Sequence, residues 1–185
     1  PGVVLRKLRK EVINVLKQKD EENQSMNEGI SKMKVNDGMD MSLICIDHES
    51  GIMQFSGANN PVYIISNFTD NPGLQGLETI AGLDNFYEIK GDKMPVSMYD
   101  KMDKFATHEI KINKGDQVYM FSDGFADQFG GPKGKKFKYK PFKQLLLENA
   151  EKSMTEQKKI LDEAFDNWKG NYEQIDDVLI LGIKI

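Results

Sequence analysis

Residues 41–66 read MSLICIDHESGIMQFSGANNPVYIIS, and this stretch decides the fold class of the chain. Two apolar runs, Met41–Asp47 and Ile52–Ser56, flank the polar residues 48–51, which is the pattern of a β-hairpin. A third run, Val62–Ser66, predicts another strand with no helix before it. Because these strands follow one another directly, the pattern favours antiparallel sheets in an α+β arrangement over a doubly wound parallel fold.

The sequence on either side of this stretch predicts a helix and further strands. Apolar residues at helical spacing predict an amphipathic helix over 3–18, and the polar segment 20–36 predicts a loop. The alternating run 105–112 and the apolar run 117–121, joined by a turn at 114–116, predict a second hairpin.

The remaining segments complete an outline of the chain. Residues 67–77 contain Asn-Pro-Gly and predict a surface excursion. Helices are predicted at about 141–149 and 155–168, the second opening with Ser153 and Glu156 as a capping box. The final run, Val178–Ile185, is almost continuously apolar and predicts a central buried strand.

Composition limits the class of protein. A chain of 185 residues with 39% hydrophobic and 29% charged residues is typical of one soluble globular domain. Its 25 Lys and Arg against 29 Asp and Glu give no electrostatic footprint for nucleic acid or an anionic membrane. No apolar run approaches the roughly 20 residues that span a bilayer, and the single Cys45 suits a cytoplasmic protein.

Cysteine and histidine chemistry is disfavoured. Cys45 lies mid-strand, which favours a core thiol, and Gly51 stands where a cysteine phosphatase would need an arginine. His48 and His108 have no partner at metal-ligand spacing, so both are interpreted as surface residues.

Carboxylates at strand ends are the stronger signal. Asp123 follows the apolar run 118–121 after one serine, and Asp176 and Asp177 directly precede the last predicted strand. Strand ends can aim distant carboxylates into one cleft, where Mg²⁺ or Mn²⁺ takes oxygen ligands. Two such ions activate water and stabilise a phosphoryl group. Asp-Gly is also a common turn and Asp-Asp a solvated strand entry, so placement alone leaves both interpretations open.

Five motifs in order carry a family resemblance. Residues 119–131, YMFSDGFADQFGG, resemble the Ser-Asp-Gly motif of the stage II sporulation protein E family, the bacterial branch of the type 2C metal-dependent serine/threonine phosphatases. Residues 174–180, QIDDVLI, resemble its closing motif. The blocks at 37–40, 56–61 and 91–95 resemble others, so the similarity extends from Leu5 to Ile185.

This resemblance implies an α-β-β-α sandwich of two antiparallel sheets flanked by helices. It implies two Mn²⁺ or Mg²⁺ ions and one-step hydrolysis of phosphoserine or phosphothreonine on a regulatory protein. By motif position, Asp123 and Asp176 are the implied catalytic metal ligands. Gly124 and Asp177 are also assigned to the metal site: Gly124 lets the backbone turn close to it, and Asp177 is a weaker candidate that orients its neighbour or caps the strand. Ser122 is interpreted as a turn residue.

The family's earlier motifs, including the ligand that bridges the metals, would lie upstream of Leu5. The resemblance therefore implies that residues 1–185 are the C-terminal part of a single phosphatase domain whose N-terminal part is missing. On that basis the chain is expected to lack activity alone, to expose sheet edges and an apolar face, and to self-associate.

The implied partners are a phosphoprotein substrate, such as an anti-anti-sigma-type regulator, and an upstream sensory module that could anchor the parent in a membrane. This segment itself is expected to be cytoplasmic, without nucleic-acid or membrane contact. Residues 129–138, with three Gly and four Lys, are either a loop that meets a phosphoprotein or a solvated basic loop. The alternative functions are a non-catalytic phosphoprotein-binding module of the same fold and a Ca²⁺- or Mg²⁺-stabilised structural domain.

Overall fold

The computed structural model describes residues 38–67, 74, 78–80, 83–97 and 103–185. The helix predicted over 3–18 and the loop predicted over 20–36 lie outside these residues. The strands are β1 (Met41–Asp47), β2 (Ile52–Ala58), β3 (Val62–Ile65), β4 (Glu78–Ile80), β5 (Leu83–Ile89), β6 (His108–Lys111), β7 (Gln117–Phe121), β8 (Phe129–Gly130), β9 (Lys135–Lys136) and β10 (Ile180–Lys184). The helices are α1 (Gly124–Asp127), α2 (Tyr139–Glu148) and α3 (Met154–Lys169).

Two antiparallel sheets form the body of the described chain. The smaller sheet has the order β1-β2-β6, and the larger has the order β10-β7-β3-β5-β4. The predicted hairpin is confirmed as β1 and β2, with Ile44 opposite Phe55. Its turn is stabilised by Asp47, whose Oδ2 accepts the Ser50 hydroxyl at 2.7 Å. The α+β class with antiparallel sheets is therefore confirmed.

Alternation along the strands divides the apolar side chains between two cores. Val62 and Ile64 of β3 face the smaller sheet and join an inter-sheet core. Tyr63 and Ile65 point the other way and pack beneath α2 and α3. The described layers are thus sheet, sheet and helices.

The prediction of a second hairpin over 105–121 is wrong. β6 pairs with β2 in the smaller sheet, whereas β7 pairs with β3 and β10 in the larger one. The turn between them crosses from one sheet to the other because Asp116, fully buried, is tied to the larger sheet. Its carboxylate accepts from Ser66 Oγ and the Asn113 N–H, each at 2.8 Å, and its carbonyl accepts the Ile185 N–H at 2.9 Å.

The last strand also departs from its prediction. Among the described residues β10 pairs with β7 alone and forms an edge of the larger sheet, so within this part of the chain it is not a central buried strand. Ile180 packs against the helix-side core, but Leu179 and Leu181 are 67% and 47% exposed. Ile185, by contrast, packs in part against the inter-sheet core. The apolar run therefore contributes to both faces of the larger sheet, although Leu179 and Leu181 stay exposed.

In the segment 67–77 the structure describes Asn67, which is exposed, and Leu74, which is buried. Leu74 is 1% exposed and belongs to the inter-sheet core, so the predicted surface excursion is wrong there. β4 and β5 follow this segment and were not predicted. Cys45 is partly exposed on β1, so it is not a core thiol, while His48 and His108 are exposed as predicted.

The two C-terminal helices are confirmed. The capping box of α3 forms as predicted: Ser153 Oγ accepts the Glu156 N–H at 3.3 Å, and Glu156 Oε2 accepts the Ser153 N–H at 3.0 Å. α3 is also linked to β7 through a buried network in which Tyr119 Oη contacts Gln157 Oε1 and Gln117 Oε1, both at 2.6 Å. Burial raises the pKa of Tyr119 to about 12. No helix in the described part of the chain is long and apolar enough to cross a membrane.

We expect the chain to self-associate through the edge of β10 that no other described strand pairs with, since exposed strand edges and apolar side chains favour association. Leu181→Lys places a charge on this edge and is expected to shift the chain toward monomer at roughly tens of micromolar. Sedimentation velocity measures the shift, with Ile52→Lys, a 37% exposed residue of the smaller sheet, as the control. A monomeric unmodified chain would contradict the prediction.

Candidate functional site

The candidate site forms where the end of β7 meets the start of β10. These strands are antiparallel neighbours, with Phe121 opposite Ile180. The residues that follow β7 therefore lie beside those that precede β10. This pairing brings the Ser-Asp-Gly motif at 122–124 to the Asp-Asp motif at 176–177, although the two are far apart in sequence.

Ser122 holds the two motifs together. Its N–H donates to the Leu179 carbonyl at 3.0 Å. Its hydroxyl donates to the Asp177 carbonyl at 2.7 Å and accepts the Leu179 N–H at 2.9 Å. Because these contacts occupy the hydroxyl, Ser122 is a positioning residue of the turn. This agrees with its interpretation from the sequence as a turn residue.

Gly124 is needed for a close approach of main chain to main chain. A Cβ built on it would lie 2.4 Å from the Asp177 carbonyl oxygen, which is closer than real Cβ atoms come. Gly124 begins α1 directly after Asp123, whose carbonyl accepts the Asp127 N–H at 2.9 Å. The Asp123 carboxylate makes no capping bond to α1. The helix end therefore does not occupy its oxygens.

Several carboxylates converge on Asp123. Partial burial raises its pKa, and the negative charges of Asp176, Asp127 and Asp40 raise that pKa further. Asp40 comes from the segment before β1 and accepts the Asn59 side-chain amide at 2.7 Å. Like charges gathered in this way are destabilising unless a cation joins them.

Asp40, Asp127 and Tyr139 also belong to this neighbourhood, although they were not among the implied metal ligands. Tyr139 opens α2, and its pKa is raised by burial and by the charges of Asp123 and Asp127. Its ring lies 6.4 Å from that of Phe121. Asp40 and Asp127 each lie within one of the sequence motifs, which could have indicated them as site residues. No sequence motif contains Tyr139.

These residues fit part of a divalent-cation site. Asp123 and Asp176 supply carboxylate oxygens, the ligands that Mg²⁺ and Mn²⁺ take. Within the described ranges, however, no three His, Cys, Asp or Glu side chains are gathered closely enough to hold one ion. The carboxylates interact through space without forming a complete site. Further ligands of such an ion would be backbone carbonyls, water or side chains other than those of a three-residue His, Cys, Asp or Glu group of the described ranges.

The fold is similar to solved PP2C-type phosphatase domains. The SiaA-PP2C domain of Pseudomonas aeruginosa matches with a TM-score of 0.65 and 25% identity, over 83% of this chain and 54% of that one. The phosphatase domain of the cell fate determinant SpoIIE from Bacillus subtilis matches with a TM-score of 0.54 and 15% identity, over 97% of this chain and 72% of that one. A manganese-presoaked structure of that domain gives 0.52 and 18%, over 79% of this chain and 56% of that one.

These matches define the class as the PP2C-type phosphatase domain, and this chain spans about half the length of the SiaA-PP2C domain, 54%. Residues 3–185 match the stage II sporulation protein E (SpoIIE) family, and the chain belongs to that family. The family resemblance of its motifs is thereby confirmed. The match covers nearly the whole chain and does not show that residues 1–185 are only the C-terminal part of a domain. That expectation stays a prediction. No curated protein matches the chain.

Gly124→Ala is expected to destabilise the chain. Helix propensity alone favours alanine by up to about 1 kcal/mol, whereas the contact with the Asp177 carbonyl predicts a loss of about 1–3 kcal/mol from overpacking. The free energy of unfolding in urea decides between the two signs. A stabilised variant would mean that the two motifs do not touch at this point.

Asp123→Asn is expected to stabilise the chain at neutral pH in metal-free buffer. Because the folded-state pKa of Asp123 is raised, the folded chain binds this proton more tightly than the unfolded chain. The destabilisation is fully present above the folded pKa and absent below the unfolded value of about 3.9. The gain should therefore be largest at neutral pH and vanish as the pH falls through the raised pKa. Urea unfolding with a chelator measures it, and a loss of stability at neutral pH would contradict it.

The matched control is Asp162→Asn, which removes an exposed carboxylate from α3. Asp162 is not among the groups whose charge raises the pKa of Asp123. Its replacement should leave the pH dependence of the unfolding free energy unchanged. An equal gain in both variants would mean that net charge, and not the local cluster, is responsible.

Proposed function

We propose that this chain supplies Asp123 and Asp176 to the metal site of a serine/threonine protein phosphatase that acts on a bacterial signalling protein. The observation that carries the proposal is the junction of Ser122 and Gly124 with Asp177. It brings Asp123 close enough to Asp176 for the charge of Asp176 to raise the pKa of Asp123, and the Asp123 carboxylate does not cap α1. Membership of the SpoIIE family supports the same activity.

Each residue of the junction has a distinct role in this proposal. Asp123 and Asp176 are the metal ligands, and the bound metals supply activation of water and neutralisation of phosphoryl charge. Ser122 and Gly124 position both acidic motifs. Asp177 contributes through its carbonyl, which accepts the Ser122 hydroxyl at 2.7 Å. Its carboxylate is the weaker candidate for the metal site.

The 185-residue chain on its own is proposed to bind metal weakly and to lack appreciable turnover. Two carboxylates leave most of the coordination sphere of Mg²⁺ or Mn²⁺ to water, and such an ion is loosely held. Chemistry with two metals needs both ions at roughly 3.5–4 Å from each other, and a misplacement of about 1 Å costs on the order of a hundredfold in rate.

The substrate is proposed to be a phosphoserine or phosphothreonine on a regulator of the anti-anti-sigma type in the cytoplasm, with a sensory module as partner. A second candidate, a phosphoprotein-binding module without turnover, is favoured by one observation. No complete set of three metal-binding side chains occurs among the residues that the structure describes.

Metal binding and turnover separate these two functions. Binding of Mn²⁺ to the chain, followed by electron paramagnetic resonance of the free ion, is expected to be weak. Asp123→Asn and Asp176→Asn should each weaken it by about tenfold or more, since each removes a carboxylate ligand. Asp162→Asn should leave it unchanged. The same two substitutions in the complete protein should remove most Mn²⁺-dependent hydrolysis of a phosphoserine peptide.

Three outcomes would contradict the proposal. Equal Mn²⁺ binding by all variants would remove these carboxylates from the metal site. A complete protein that binds the peptide and never hydrolyses it would favour the binding module. Rapid turnover by the 185-residue chain alone would show that its own residues complete the site.

A further inference from the structure

A basic hairpin directly follows the candidate site. β8 and β9 pair through Phe129 opposite Lys136 and Gly130 opposite Lys135. Lysines are concentrated there although the chain as a whole carries a net charge of −4. Five of them are exposed, and Lys136 is paired with Asp127. The other four are here named the lysine rim: Lys133, Lys135, Lys138 and Lys140.

The hairpin is a fixed platform. The Gly131 N–H donates to the Trp168 carbonyl at 2.8 Å, which ties the hairpin to the end of α3. The Lys138 N–H donates to the Ala126 carbonyl at 2.7 Å, which ties it to α1 beside the carboxylates. The Phe137 ring packs edge-on against Trp168 at 5.3 Å between ring centroids. The rim lysines are therefore carried at a defined place beside the site.

The charge of the rim is not neutralised by the nearby carboxylates. A fifth lysine, Lys136, pairs with Asp127 at 2.9 Å. Across the described ranges, none of the four rim lysines forms an ion pair. The rim thus offers positive charge next to a site that gathers negative charge.

Lys138 occupies a backbone conformation that disfavours lysine. Its φ of 76° and ψ of 156° lie in a region adopted almost only by glycine. Glycine would relieve this strain, so the lysine side chain is retained at a cost in stability. The next residue, Tyr139, is close enough to Asp123 and Asp127 for their charges to raise its pKa. A cationic side chain in a strained conformation at the border of the site points to a ligand.

We propose that the lysine rim binds the acidic segment that flanks the phosphorylated residue of the substrate protein, with Lys138 nearest the phosphoryl group. This rests on the proposed function and names the chemistry of its substrate. The metals of the proposed site face the phosphoryl group, whereas the acidic residues that flank it reach beyond that site, and the rim offers them positive charge. A short phosphopeptide with a few acidic residues matches four lysines. A long polyanion would also contact the converging aspartates and be repelled.

The test measures binding and not turnover. The 185-residue chain carrying Asp123→Asn is titrated into a fluorescent phosphoserine peptide with acidic flanks, and anisotropy gives the Kd. Lys138→Gly is expected to weaken binding about twofold to fivefold, the range of one exposed ion pair. Replacing all four rim lysines by alanine should weaken it about tenfold or more and flatten the dependence of Kd on salt.

Lys138→Gly carries a second readout. Because glycine relieves the strained backbone, this variant should unfold at a higher urea concentration while it binds the peptide less well. A residue with a purely structural role would not combine these effects. Lys114→Ala, exposed in the turn before β7 at the strand end away from Asp123, is the control and should change neither measurement.

The outcomes separate the two proposals. No peptide binding by the chain, or equal Kd values for the rim variants and the control, would overturn the rim. Tighter binding of single-stranded DNA of equal charge would also overturn it, in favour of a nucleic-acid surface. Rim-dependent peptide binding by a complete protein that shows no hydrolysis would leave the rim standing and end the proposed catalytic function alone.

Discussion

The arrangement of this chain depends on the main-chain contact between the end of β7 and the segment before β10. The Ser122 hydroxyl both donates and accepts across this junction, and the absence of a side chain at Gly124 lets the Asp177 carbonyl approach. The pairing of β10 with β7 and the convergence of the carboxylates both pass through it. A single serine therefore links the architecture of the larger sheet to the geometry of the site.

Local structure was predictable because its causes are local. The hairpin of β1 and β2 follows from alternation and turn residues, and α3 follows from apolar spacing and the pair Ser153 and Glu156. The pairing partners were not predictable in this way. Nothing within residues 105–121 reveals that buried Asp116 binds Ser66, a residue of another strand's end, and so directs the chain across to the larger sheet.

The site shows the same division. The motifs marked Asp123 and Asp176, whereas the proximity of Asp40 and Tyr139 depends on packing between distant segments. The edge position of β10 was missed for a related reason. An apolar run is compatible with a central strand and also with an edge strand. Only the strands that pair with it decide between the two.

The hairpin that carries the lysine rim also contains the partner of the chain's single tryptophan. The Trp168 indole N–H donates to the Gln128 carbonyl at 3.0 Å, and its ring packs against Phe137. The tryptophan emission of the chain therefore originates at one place, where α3 supports the hairpin. Intrinsic fluorescence here acts as a local optical probe of the hairpin, so a rearrangement at the border of the site changes the emission without any attached label.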